Sequence, residues 1–84
     1  MNAETILQRY AKDPEDLRRL RDVYKFFRAD AIAAATGIDS SLSDAEAVKA
    51  IASALKFHPA TRDLFGYADF NVMRAALIQE ARDR

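Results

Sequence analysis

The chain has 84 residues, enough for one domain with one modest core. Thirteen basic and thirteen acidic residues give a formal net charge of zero. That excludes the strongly basic balance of an ordinary nucleic-acid domain, and any such binding has to come from local asymmetry. No cysteine is present, so disulfides and thiolate metal sites are excluded.

Half of the residues are apolar, and only two are Gly and two Pro, a folded composition rather than a disordered one. Alanine is abundant, which favours helix. The opening MNAETILQRY has early charges and no apolar core segment, unlike a secretory signal. The longest uncharged run, Ala31 to Ile38, is far too short to span a bilayer. A soluble, cytoplasmic protein with no membrane partner is expected, and lack of cysteine suits that reducing compartment.

Residues 2 to 12 predict a first helix capped by Asn2, with Ile6, Leu7 and Tyr10 as its apolar face. So short a helix persists only when docked.

The stretch DPEDLRRLRDVYKFFRADAIAAATG predicts one long helix over about residues 14–36, around which the rest is organised. Asp13 is placed as N-cap and Pro14 at the first helical position, where its missing N–H costs nothing. Glu15 and Asp16 suit the positive end of the helix dipole. Gly37 is the expected stop, in the left-handed conformation, with Ile38 folding back on the last turn. Leu17, Leu20, Tyr24, Phe27, Ala31 and Ala34 recur at alternating steps of three and four and define the core stripe, widened by Val23.

Two features of this helix are left over from the core. Arg18, Arg21, Lys25 and Arg28 form a cationic row beside the stripe, with Asp22 placed to pair with Arg18. The row is either a solvated face whose stems cover the core edge or a contact surface for an acidic partner. Phe26 lies about 130° from the stripe at about 100° per residue. A bundle that wraps its central helix would cover it. If exposed, it is the best single candidate for a partner contact.

IDSSL, residues 38–42, is the clear loop. Ser43 and Glu46 then form a capping box opening a third helix. Leu42 is placed to staple onto Ala47, and Val48, Ile51 and Leu55 form the stripe with Ala52 beside them. Pro59 ends this helix. Residues 59–65 predict a short connecting helix closed by Gly66. Asp69 is expected to cap the last helix, whose stripe is Phe70, Met73 and Leu77, flanked by Val72, Ala76 and Ala81. Phe57, Phe65, Tyr67 and Phe70 predict a small aromatic cluster. The expected fold is therefore all-α: a single-domain bundle of four main helices plus a short connecting helix.

Chemistry-bearing patterns are sparse. His58 is the single histidine, with no further His or Cys to complete a metal site. The carboxylates Asp13, Glu15, Asp16, Asp44 and Glu46 fall in first helical turns, where capping and the dipole account for them. Ser40, Ser41 and Ser43 lie on no nucleophile pattern, and two glycines cannot build a phosphate loop. No enzyme, cofactor or metal site is expected.

Two functional readings remain. The first is a small non-enzymatic interaction module, an adaptor, inhibitor or accessory subunit, contacting an acidic protein surface through Arg18, Arg21, Lys25, Arg28 and Phe26. The second is DNA binding through residues 31–56. Ala33 and Gly37, four apart in AIAAATGI, resemble the first helix and turn of a helix-turn-helix. Two features depart from that pattern: the linker IDSSL is long, and DAEAVKAIASALK opens with acids that repel phosphates.

Overall fold

The computed structural model describes residues 2–54 and 67–83, and among them the protein is all-α, with four helices and no strand. They are α1 (Ala3–Tyr10), α2 (Pro14–Ile38), α3 (Asp44–Ala54) and α4 (Tyr67–Arg82). The expected short connecting helix, the end of the third helix at Leu55 to Pro59, His58, Phe57, Phe65 and the Gly66 stop lie outside the described residues.

The helix starts follow local chemistry. Asn2 is extended, and its Oδ1 accepts from the Thr5 N–H at 2.9 Å. At α2, Asp13 Oδ1 accepts from the Asp16 N–H at 2.8 Å, while Asp16 Oδ2 accepts from the Lys12 N–H at 3.0 Å. Two donors that α2 itself cannot satisfy are thus paired reciprocally. Ser43 and Glu46 do the same at α3: Ser43 Oγ accepts from the Glu46 N–H at 3.3 Å, and Glu46 Oε1 accepts from the Ser43 N–H at 3.3 Å.

The end of α2 differs from expectation. The helix runs through Gly37 to Ile38, and Gly37 has no left-handed backbone. Asp39 stops it. Its backbone turns extended (φ −141°), its N–H still reaches the Ala35 carbonyl, and its Oδ1 accepts from the Ser41 hydroxyl at 2.6 Å and the Ser41 N–H at 3.0 Å. A short acidic side chain that bonds two residues ahead offers the chain a turn in place of another helical step. Ile38 does not fold back and is 89% exposed.

The core stripe of α2 is Leu20, Tyr24, Phe27, Ala31 and Ala35, with Leu17 and Val23 packed at its edge. Ala35, not Ala34, takes the last position. Steps of three and four average 3.5 residues, which drifts about 20° per heptad from a straight helix, so a step of four restores register. Phe27, Leu20, Met73, Leu77 and Val48 are the largest fully buried side chains. Ile6 and Leu7 of α1 join them, and Ala31, Ala35, Ala47 and Ala76 let helices approach closely. Phe27 meets Phe70 edge-on, ring centroids 6.0 Å apart at 79°, a favourable arrangement for aromatic quadrupoles.

In this core α3 packs against α2 and α4, and α1 against α4 and α2. Where α2 is met by α1, α3 and α4, it is met on its inner stripe. Tyr10, expected on the inner face of α1, is 54% exposed at that helix's last residue. No helix among the described residues is long and apolar enough to cross a membrane.

Candidate functional site

The cationic row divides once the helices are assembled. Arg21 turns toward α1: its Nε donates to Glu4 Oε1 at 2.7 Å, and its Nη2 closes a second contact to the same oxygen. Hydrogen bonding from Arg21 holds the Glu4 carboxyl below its ordinary range, against the opposing pull of burial, and raises the guanidinium in turn. Arg28 turns toward α4, where its Nε donates to both Glu80 oxygens at 2.9 and 3.0 Å. The Tyr24 hydroxyl also donates to Glu80, at 3.3 Å. Arg21 and Arg28 therefore clamp neighbouring helices to α2.

Arg18 and Lys25 are exposed and form no ion pair among the described residues, and the expected Arg18–Asp22 pair is absent. Among the described residues the remaining ion pairs of α2 run through Arg19, a residue of no special standing in the sequence pattern. Its guanidinium bridges Asp16 at 2.8 Å and Asp69 at 2.6 Å. Asp69 thus sits inside the first turn of α4, not at its cap, and spends its carboxylate on α2. The Asp16 carboxyl is held low first by the Lys12 N–H and then by Arg19.

Phe26 is not covered. It is 70% exposed, because α1, α3 and α4 all gather on the opposite stripe of α2. At about 100° per residue, Ala29 and Ala33 lie within about 60° of it on the same outer face. Both are exposed. Arg18 and Lys25 fall about 80–100° away, on the Ala29 side, and within about 20° of each other. The outer face of α2 therefore carries an aromatic knob beside Ala29 and Ala33, with exposed Asp22 and Asp30 one turn to either side and Arg18 and Lys25 along one border. A single exposed aromatic is ordinary on a soluble protein. The continuity with exposed Ala29 and Ala33 sets this one apart.

Among the described residues, hollows also lie elsewhere. One, about 370 Å³, is lined by Tyr10, Lys12, Asp16, Arg19, Asp69 and Val72, and its charges already cancel against one another. Another, about 310 Å³, lies between α3 and α4 and includes Lys49 and Arg82. Sequence reasoning passed over both, since each is assembled from residues on separate helices.

Of residues 31–56, the stretch resembling a helix-turn-helix, 31–54 comprise the end of α2, the loop 39–43 and α3, and 55 and 56 lie outside the described residues. Ala47, Val48, Ile51 and Ala52 of α3 face the core, and exposed Asp44 and Glu46 stand at its start. Compared with protein-family models, curated proteins and solved structures, the chain matches none.

Proposed function

We propose that this protein is a small helical interaction module, acting by contact rather than catalysis, that offers the outer face of α2 to an acidic partner protein. The observation that carries the reading is the exposure of Phe26, 70%, on a helix whose inner stripe already holds the core. Burying a whole Phe side chain is worth about 1.5–3 kcal/mol, so a partner covering this ring gains most of that. Arg18 and Lys25 supply the long-range attraction that selects an acidic surface and speeds encounter. Arg21 and Arg28, spent on Glu4 and Glu80, belong to the scaffold of the module. A cysteine-free chain suits a reducing compartment, and we take the cytoplasm as its place of action.

A photocrosslinking side chain at position 26, compared with one at exposed Asp44, tests the reading in cells. A discrete adduct specific to position 26, lost on combining Arg18→Glu with Lys25→Glu, supports it. Equal yields from both positions count against it. Titration with duplex DNA at low salt distinguishes the DNA reading: a salt-dependent complex there favours residues 31–56 over the α2 face.

A further inference from the structure

The hollow between α3 and α4 has a chemistry that the α2 face does not account for. Its floor is apolar: Ala52 is buried, and Ile78 and Ala81 are half-buried and open to the groove. Its rims are cationic, with exposed Lys49 on α3 and exposed Arg82 on α4, and Ser53 completes the lining. Neither cation makes an ion pair among the described residues. Arg74, also exposed and without an ion pair among them, stands four residues before Ile78, and Arg82 stands four after it. One row of α4 thus reads Arg74, Ile78, Arg82, since residues four apart share a helix face. Lys49 faces that row across the groove.

We infer that this groove is a second docking site, shaped for an acidic amphipathic helix of a partner protein. Charge complementarity selects the occupant. Lys49 and Arg82 on the two rims of an apolar floor, with Arg74 one turn before Ile78 on α4, match a helix whose apolar residues, three and four apart, enter the groove while flanking Glu or Asp side chains meet the rims. A nucleic-acid backbone satisfies the cations and leaves the Ile78 floor unfilled. A lipid surface needs apolar side chains that protrude, and here they are recessed between two helices. The site shares no residue with the Phe26 face, so either surface can fail without the other.

The probe is a designed peptide of about 15 residues, long enough to hold a helix. Leu occupies the positions of one face and Glu flanks it; a control peptide carries Lys at each Glu. Binding is followed by NMR on the intact protein. The acidic peptide is expected to shift the Ala52, Ile78 and Ala81 resonances and leave Phe26 unmoved. Combining Lys49→Glu with Arg82→Glu is expected to weaken it by about tenfold, equivalent to about 1.4 kcal/mol. Both changes are on exposed positions, and circular dichroism confirms the fold. Ile78→Ser alone, which removes the floor and keeps the charges, is expected to weaken binding as well. The inference is overturned if the Lys peptide binds equally well, if the charge-reversed protein binds undiminished, or if the shifts fall outside the groove. It is also overturned if anionic vesicles or duplex DNA shift these resonances while the acidic peptide does not.

Discussion

Arg19 on α2 reaches Asp69 in the first turn of α4, Nη1 to Oδ2 at 2.6 Å, while the same guanidinium holds Asp16. One side chain thereby links the start of the long helix to the start of the last one. The pair is half in solvent, with side-chain exposures of 50% and 25%, so water and salt screen it.

A double-mutant cycle on Arg19→Ala and Asp69→Ala should return a coupling of about 0.2–1 kcal/mol, shrinking as salt is added. Chemical denaturation with urea, which leaves ionic strength unchanged, measures it. A coupling of zero at low salt would mean that α4 is placed by its apolar contacts alone.

Leu20→Ala and Phe27→Ala should each destabilise by about 2–5 kcal/mol. Leu20 is 2% exposed and Phe27 fully buried, at the centre of the shared core. Equilibrium denaturation checks both. An unchanged midpoint would show that the α2 stripe is not the core.

Gly37→Ala should stabilise by about 0.4–1 kcal/mol, through reduced freedom of the unfolded chain. Gly37 is helical rather than left-handed, and an added Cβ meets nothing within 4 Å. A loss of stability in the same denaturation experiment would place Gly37 in the left-handed stop that the sequence alone suggests.

Acidification should lower stability. Folding depresses the Glu4 carboxyl through Arg21, the Asp16 carboxyl through the Lys12 N–H and Arg19, and the Asp39 carboxyl through Ser41. A depressed group contributes fully above its unfolded value and loses that contribution as pH falls through the folded one. The decline should therefore begin near the ordinary glutamate value of 4.5 and continue below the aspartate value of 3.8. Thermal melts across that range check it. A melting midpoint that holds or rises on acidification would contradict it.

What was legible in the sequence was local. The caps at Asn2, Asp13 and Ser43 act over three residues, and each forms as its residue types require. The buried stripe followed from helical period as far as Ala31, and failed at Ala34 because a 3.5-residue pattern drifts on a straight helix. Gly37 misled because Asp39, two residues on, offers a competing turn that ends the helix later. The candidate surface was less legible. Whether Arg21 and Arg28 were free depended on Glu4 and Glu80, 17 and 52 residues away in the chain. Phe26 depended on which side of α2 the other helices choose, which no periodicity within α2 states. The α3–α4 groove joins Lys49 to Arg82 across two helices and leaves no mark in either one alone.

The outer face of α2 is proposed to bind a partner through Phe26, with help from Arg18 and Lys25. The most direct measurement is the affinity of the partner crosslinked at position 26 for four purified proteins: wild type, Phe26→Ser, Arg18→Glu with Lys25→Glu, and Lys49→Glu with Arg82→Glu. All five substituted positions are exposed, so circular dichroism should find the four folds alike. Phe26→Ser is expected to lose about tenfold or more, the Arg18 and Lys25 reversal to show a salt-dependent loss, and the Lys49 and Arg82 reversal to keep wild-type affinity. Full affinity in Phe26→Ser, with the fold intact, would contradict that role for the α2 face.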